Sequence, residues 1–258
     1  SSDVLMRSCD IPYGQLAEIR TARKNMVLDA ENHDSGILAR IKANTRSETD
    51  APVVKNALVI LVQFKGEKER FKYTEEDFRN LLNQKGYSSY GAVASAKEYF
   101  DDQFNGKFEF NFDVSDIVTL DKEMSFYGGN DNEGGDRNTN MMIVEASQIA
   151  DPMIDFTKYD QDGDGEVDNV FVFFAGRDEA EGGSEDCIWS HSWYIKDGAG
   201  RNLILDGVRI NRYACASELI LSEKDQVTMA SIGTFCHEYA HTLGLPDLYD
   251  TDYQVGGL

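Results

Sequence analysis

Runs of apolar residues mark several stretches of the chain as strands. Residues 57–64 and 170–175 are continuous apolar runs of strand length, which is typical of strands covered on both faces. Residues 107–120 alternate phenylalanine or valine with polar residues, and this period of two predicts a strand with one buried face. Residues 203–213 carry Asp206 and Gly207 between two apolar arms, so we expect a β-hairpin there.

Four other stretches have the spacing of helices. We predict helices over residues 74–83, 92–104, 141–150 and 224–243, the first beginning at a threonine cap followed by acidic residues. The expected buried stripe of the last helix consists of residues at three- and four-residue steps: Met229, Ile232, Cys236, Ala240 and Leu243. Because strands and helices alternate around buried strands, the sequence predicts a mixed α/β (α+β) fold.

The first part of the chain differs in composition from the rest. Residues 1–52 hold one helical stretch and then a polar run that is typical of a linker. We therefore predict an N-terminal arm or prosegment remnant over residues 1–52, followed by one domain over residues 53–258.

Acidic residues dominate the charge of the chain. The 46 acidic and 25 basic side chains give a net charge of −21, which argues against a nucleic-acid partner. Hydrophobic residues make up 41% of the sequence, enough for a core, so the chain does not belong to the disordered class. No apolar run reaches the roughly 18 residues of a transmembrane segment. The four cysteines are too few and too scattered for a disulfide framework or a zinc ribbon.

One short motif carries candidate metal chemistry. His237 and His241 are four residues apart in the last predicted helix, so both imidazoles can reach one metal ion from the same face. Glu238 follows the first histidine, where its carboxylate can take a proton from a water on the metal. Gly244 then allows a sharp turn, and Asp247 can return as an oxygen ligand. The alternative is a chance pair of helix histidines with a solvated glutamate.

The residues around this motif resemble a known family. FCHEYAHTLGLPDLYD is similar to the active-site segment of the M6 metallopeptidases, the immune inhibitor A family of secreted bacterial zinc peptidases. NALVILVQF, SAKEYFDDQFNGKF, YDQDGDGEVDNVFVFFAG and IWSHSW resemble further family segments, in the same order. The resemblance implies a zincin-like catalytic domain and a secreted, extracellular endopeptidase that acts on proteins or peptides.

The resemblance also implies roles for individual residues. His237 and His241 are zinc ligands and Glu238 is the general base, while the third ligand is either Asp247 or a carboxylate farther downstream. The sequence ends at Leu258, eleven residues after Asp247. We therefore expect the downstream part of the catalytic domain to be missing, which makes an inactive secreted binding or adhesion protein the alternative function.

A second motif is rich in aspartate. Residues 160–168 match positions 1, 3, 5, 6 and 9 of a calcium loop, although Phe171 stands where position 12 requires a glutamate. Because five carboxylates so close together repel one another, we expect a structural calcium ion. The candidate ligands are Asp160, Asp162, Asp164, Glu166 and Asp168. A cation-free acidic turn is the alternative, and a calcium-responsive module is a further functional alternative.

Three remaining features have two interpretations each. Cys9 and Asp10 are candidates for a latency switch that occupies the zinc, with an ordinary or disulfide-bonded cysteine as the alternative. His191 lies between two tryptophans and is either a cleft residue or a packed histidine. The hairpin at Asp206 and Gly207 either supplies an edge strand for a peptide substrate or is a surface turn.

Overall fold

The centre of the molecule is a six-stranded sheet with the order β2-β1-β3-β7-β4, in which β8 also pairs with β7. The computed structural model describes residues 51–132, 134–180, 182–195, 202–221 and 226–245. Its strands are β1 (Val53–Gln63), β2 (Phe108–Thr119), β3 (Val170–Arg177), β4 (His191–Tyr194), β5 (Leu203–Leu205), β6 (Val208–Ile210), β7 (Arg212–Leu221) and β8 (Val227–Met229). Its helices are α1 (Glu75–Asn83), α2 (Ala96–Gln103), α3 (Met124–Tyr127), α4 (Thr139–Ala150) and α5 (Ile232–Thr242), with 3₁₀ turns at Asp151–Met153 and Phe156–Tyr159.

The sheet is mixed. Strands β1, β2, β3 and β7 run parallel to one another, whereas β4 and β8 run antiparallel to β7. Helices lie in the connections from β1 to β2 and from β2 to β3, whereas the described part of the connection from β3 to β7 contains strands β4, β5 and β6. Because β1 and β3 are covered on both faces, they read as unbroken apolar runs. The elements within Ala51–Thr242 form one compact unit. The predicted mixed α/β fold is confirmed.

Helices cover both faces of this sheet. We call the first the α5 face: Val59 and Phe171 are paired on it, and aromatic side chains of α1, α2 and α5 pack there. We call the second the α4 face: Leu58 and Val170 are paired on it and share a buried cluster with Met142 of α4. Alternate residues of each strand point to opposite faces, so the two layers are interleaved along the sequence.

The predicted hairpin is confirmed, but it lies outside the main sheet. Strands β5 and β6 pair only with each other among the described strands. Asp206 and Gly207 have φ values of 51° and 85°, the positive angles that a tight two-residue hairpin turn requires.

Helix α1 begins where the sequence predicts. The Thr74 hydroxyl accepts a hydrogen bond from the Asp77 backbone N–H, and the Asp77 carboxylate accepts one from the Thr74 N–H. Helix α2 instead begins at Ala96, four residues later than predicted, because the capping box is formed by Ser95 and Glu98. Helix α4 begins two residues early, at Thr139.

The last helix is shorter than predicted. Residues 227–229 form β8, which pairs with Leu219–Leu221 of β7, so α5 begins only at Ile232. Met229 therefore lies on a strand, and the predicted stripe is wrong in part. Ile232, Ala240 and Leu243 are only half-buried. The residues that α5 buries are Phe235, Cys236, Glu238, Tyr239 and Thr242. Phe235 and Tyr239 are buried because they pack against the aromatic residues on the α5 face. The predicted stripe omits both of them because it consists mainly of aliphatic residues.

Among the described residues, the longest helices are too short and too polar to cross a membrane.

Candidate active site

Helix α5 brings the two histidines of the motif together. The Nε2 atoms of His237 and His241 are 3.2 Å apart, and their ring centroids are separated by 4.7 Å. The side chain of His237 is 44% exposed, so this pair faces away from the core and is open to solvent. A Glu238 carboxylate oxygen lies 3.9 Å from His237 Nε2. The three side chains form one cluster of possible metal ligands.

The donor set fits a zinc ion. Two nitrogen ligands at the usual Zn–N distance in a tetrahedral site are roughly 3.3 Å apart, close to the 3.2 Å observed between the imidazole nitrogens. Helical spacing alone places both rings on one face, and here the reactive nitrogens also converge on one point. The two histidines can therefore hold a metal ion without rearrangement of the helix.

An aromatic layer on the α5 face fixes the rotation of the helix. Phe235 is fully buried and lies 4.5 Å from Phe171 and 5.1 Å from Phe112, measured between ring centroids. Tyr239, one helical turn later, packs against Phe110 and Phe112 at 6.1 and 5.4 Å. Because Phe235 and Tyr239 point into the sheet, His237 and His241 are turned outward.

Three residues of the aspartate-rich loop also come together. Asp160, Asp162 and Asp164 each offer a carboxylate oxygen within 4.8 Å of the others. The loop is closed by its own backbone: the N–H groups of Gly163, Asp164 and Gly165 donate to Asp160. These donors offset part of the repulsion among the carboxylates.

Glu166 and Asp168 have basic partners instead. Arg209 of β6 forms an ion pair with the Glu166 carboxylate, so this side chain is directed to the hairpin. Lys55 lies 3.7 Å from Asp168, which also accepts a hydrogen bond from Gln161. Burial raises the pKa of Asp168, Lys55 opposes that shift, and the charges of the loop aspartates add to it. The Asp168 carboxylate therefore interacts electrostatically with the three clustered aspartates, whereas the Glu166 carboxylate is directed away from them.

His191 lies on the α4 face. It is paired with Cys215 in the antiparallel ladder, and directly opposite residues point to the same side. Its Nδ1 donates to the Trp189 carbonyl at 2.7 Å, and its Nε2 lies 2.9 Å from the hydroxyl of Tyr213. That hydroxyl in turn contacts Asn140 of α4. The structure therefore places His191 half-buried on the face of the sheet opposite α5, with hydrogen bonds to Trp189 and Tyr213. Its role in a cleft stays a prediction.

Three predicted site residues lie outside the described residues: Cys9, Asp10 and Asp247. Their roles as latency switch and third zinc ligand stay predictions.

The structure also reveals polar residues that the sequence analysis missed. Asp136 is enclosed on the α4 face, where burial raises its pKa to about 7, with the nearby charges of Glu179 and Asp178 adding to the effect. Arg212 is buried on the α5 face at the end of helix α5. A charged residue at the start of the largely apolar run of residues 213–216 is the sequence signal for Arg212.

Comparisons with known proteins agree with this site. Residues 49–257 match the family model described as "Immune inhibitor A peptidase M6, catalytic domain". The chain is 29% identical over 214 residues to the pre-pro-metalloprotease PrtV of Vibrio cholerae serotype O1, covering 72% of this chain and 22% of the relative. It is 26% identical over 191 residues to immune inhibitor A of Bacillus thuringiensis subsp. alesti, covering 64% of this chain and 27% of the relative.

The chain thus spans about a quarter of the length of the curated relatives it matches. The family match, however, includes every described strand and helix, from β1 to α5. On this evidence the chain belongs to the immune inhibitor A family of peptidases, M6.

Proposed function

We propose that this chain is the catalytic domain of a zinc-dependent endopeptidase that hydrolyses extracellular proteins or peptides. The observation that carries the proposal is the convergence of two imidazole nitrogens at 3.2 Å beside a largely buried glutamate. Asp247, six residues after His241, is the proposed third ligand, because two histidines and a carboxylate leave one position of a tetrahedral zinc ion open.

Glu238 is the proposed general base. When bound, zinc polarises the scissile carbonyl and lowers the pKa of a water molecule towards about 7. The Glu238 carboxylate takes a proton from the attacking water and delivers it to the nitrogen of the leaving amine. Its side chain is only 12% exposed, and a carboxylate shielded from bulk water interacts more strongly with nearby positive charge.

The described sheet has two edges to which a peptide substrate can add a strand. At the β2 edge, the side chains of Asn83 and Lys97 already bond the backbone of Phe110 and Phe112. At the opposite edge lies β4, which packs near α5. We therefore assign the addition of a peptide strand to β4. The β5–β6 hairpin, considered for this role from sequence, belongs to a separate sheet.

The aspartate-rich loop is proposed as a structural calcium site. Asp160, Asp162 and Asp164 supply oxygen ligands, and Asp168 is the nearest further carboxylate. Asn169 follows directly and hydrogen-bonds Tyr239 of α5, so the loop is linked to the metal-binding helix. Titration of calcium into calcium-free protein should raise the melting temperature. At a free calcium concentration of 100 times the dissociation constant, the free energy of unfolding should increase by about 2.7 kcal/mol.

A matched pair of variants tests this calcium site. Asp162→Asn should reduce the rise in melting temperature, whereas Asp121→Asn, at an exposed position outside the loop, should leave it unchanged. An equal response of both variants and the unmodified chain would show that calcium acts elsewhere.

Secretion and latency complete the proposal. The name of the Vibrio cholerae relative states that it is made as a pre-pro form. This supports a prosegment in residues 1–52, with Cys9 or Asp10 as the group that occupies the zinc. A secreted peptidase needs such silencing during synthesis. Cys9→Ala and Asp10→Ala should each be tested for loss of latency, measured as activity before and after removal of the segment.

The decisive experiment compares two glutamate variants. The purified chain should bind one zinc ion and hydrolyse a denatured protein substrate. Glu238→Gln should retain zinc and lower kcat by about 10²- to 10⁴-fold, because the general base is lost. Glu76→Gln, at a position with 71% side-chain exposure, should change neither property. Absence of zinc, or unchanged hydrolysis in Glu238→Gln, contradicts the mechanism. Zinc binding without any hydrolysis favours the adhesion protein.

A further inference from the structure

Arg212 is a buried cation at the C-terminal end of the metal-binding helix. It is the first residue of β7 and is only 7% exposed. Its Nη1 donates a hydrogen bond to the carbonyl oxygen of Thr242 at 2.7 Å. Its Nη2 donates to the hydroxyl of Tyr194 at 2.9 Å, and the guanidinium lies 5.4 Å from the centre of that ring. Tyr194 is its cross-strand neighbour in β4.

These contacts meet a physical need of the helix. The last four carbonyls of a helix have no partner within it, and the helix dipole makes this end negative. Thr242 directly follows His241, so its carbonyl belongs to the turn that carries the second metal ligand. Thr242 is itself buried, at 4% exposure, and a buried carbonyl without a donor is costly. Arg212 supplies that donor and a compensating charge.

Strand β7 therefore holds both ends of α5. Two residues before the helix begins, the backbone N–H of Ala230 donates to the carbonyl of Glu218 at 2.8 Å and continues the pairing of β8 with β7. At its end, Arg212 binds Thr242, and β7 runs antiparallel to the helix between these two anchors. The first anchor uses backbone atoms alone, whereas the second depends on one side chain. A substitution at Arg212 thus releases the end that bears His241 and leaves the start of the helix in place.

We propose that Arg212 is a positioning residue for the zinc site, a role that rests on the proposed zinc-peptidase function. The hydrogen bonds of Arg212 to Thr242 and Tyr194 do not involve the histidine pair. It acts through the Thr242 carbonyl, which fixes the last turn of α5 and so the separation of His241 from His237. Tyr194 holds the plane of the guanidinium and so supports the same geometry.

The test measures zinc affinity and folding separately. The dissociation constant for zinc is obtained by competition with a chromophoric chelator, and the fold of the metal-free chain is followed by near-ultraviolet circular dichroism and by its melting temperature. Arg212→Met should weaken zinc binding by about 10- to 100-fold, the range found when a group that orients a metal ligand is removed. Arg212→Lys keeps the charge but loses the planar fork, so it should restore affinity only in part.

Two further variants complete the set. Tyr194→Phe removes one hydrogen bond from the guanidinium and should weaken zinc binding by a smaller factor than Arg212→Met. Arg79→Met is the matched control, because the Arg79 side chain is 43% exposed and lies on α1. It should leave zinc affinity unchanged.

The outcomes separate this proposal from the proposed function. A folded Arg212→Met chain with the zinc affinity of the unmodified chain overturns the positioning role and leaves the peptidase proposal intact. Failure of the unmodified chain to bind zinc overturns both proposals. If Arg212→Met does not fold, Arg212→Lys and Tyr194→Phe decide the question, and unchanged affinity in both overturns the positioning role.

Discussion

The two faces of the central sheet are built on different physical principles. On the α5 face, helix α5 lies on a layer of aromatic rings from β2, β3 and neighbouring helices. On the α4 face, buried polar groups interrupt the apolar cluster: His191 contacts Tyr213, Tyr213 contacts Asn140, and Asp136 accepts hydrogen bonds from Thr139 and Trp189. Both faces bury apolar area, but the α4 face adds a network of directional hydrogen bonds, whereas the α5 face adds the contact of Arg212 with Thr242.

Because of this difference, the two faces should respond differently to pH. Phenylalanine does not titrate, and burial raises the pKa of Tyr239 further from neutrality. The rings beneath α5 therefore do not titrate near neutral pH. Asp136, with a pKa of about 7, makes the other face responsive to pH in that range. His237 and His241 thus lie above rings whose charge does not change in this range.

The largest expected effect comes from a cavity on the α5 face. Phe235→Ala should lower the free energy of unfolding by about 3–5 kcal/mol, because a fully buried ring in contact with Phe112, Phe171 and Phe173 is removed. Zinc affinity should fall with it, since the rotation of α5 depends on that ring. Denaturant unfolding and zinc competition measure the two effects. The control is Phe126→Ala, at 37% exposure, and a comparable loss there would refute the distinction between ring layer and surface.

The second effect is a pH dependence on the α4 face. The folded chain keeps the Asp136 proton up to a pKa of about 7, whereas an unfolded chain loses it near the usual value of 3.8. Proton uptake on folding favours the folded state at low pH, and this contribution is lost as pH rises from about 4 to 7. The Asp136→Asn variant lacks this proton-linked stabilisation. As pH rises from about 4 to 7, the free energy of unfolding of the variant should therefore increase relative to that of the unmodified chain by on the order of 3 kcal/mol. Parallel stability profiles for the two chains would contradict the assignment.

The smallest effect separates the two faces most sharply. Tyr213→Phe removes the hydroxyl that joins His191 to Asn140, and should lower the free energy of unfolding by about 1–2 kcal/mol because buried partners lose a hydrogen bond. Zinc affinity and peptide hydrolysis at low temperature should stay unchanged, because this network lies across the sheet from α5. A selective loss of zinc binding would show that the two faces are coupled.

The sequence predicts best where one regular period governs the result. The convergence of His237 and His241 follows from helical spacing, and strands β1 and β3 follow from their apolar runs. Thr74 marks the start of α1 because its capping partner Asp77 is three residues away. In each case the information lies within a few residues of the feature it predicts.

Features that depend on distant partners could not be read in this way. Residues 227–229 resemble the first turn of a helix until Leu219–Leu221 of β7 provide a strand to pair with. The spacing of Glu166 fits a calcium loop, yet its carboxylate forms an ion pair with Arg209 on the β5–β6 hairpin. The role of Arg212 depends on the carbonyl of Thr242, thirty residues farther along the chain. Such contacts are chosen by tertiary packing and leave no local periodicity.

The sheet topology also dictates an order of folding. Strand β1 pairs with β2 and with β3, and Leu58 meets Val170 only after the intervening segment has closed into a long loop. Such non-local pairing is slow, because the entropy of loop closure is lost before the contacts form. The aromatic layer beneath α5 contains residues from β2 and β3, so it forms only after both strands have paired with β1. The surface that orients the histidine pair is consequently completed only after the sheet has formed.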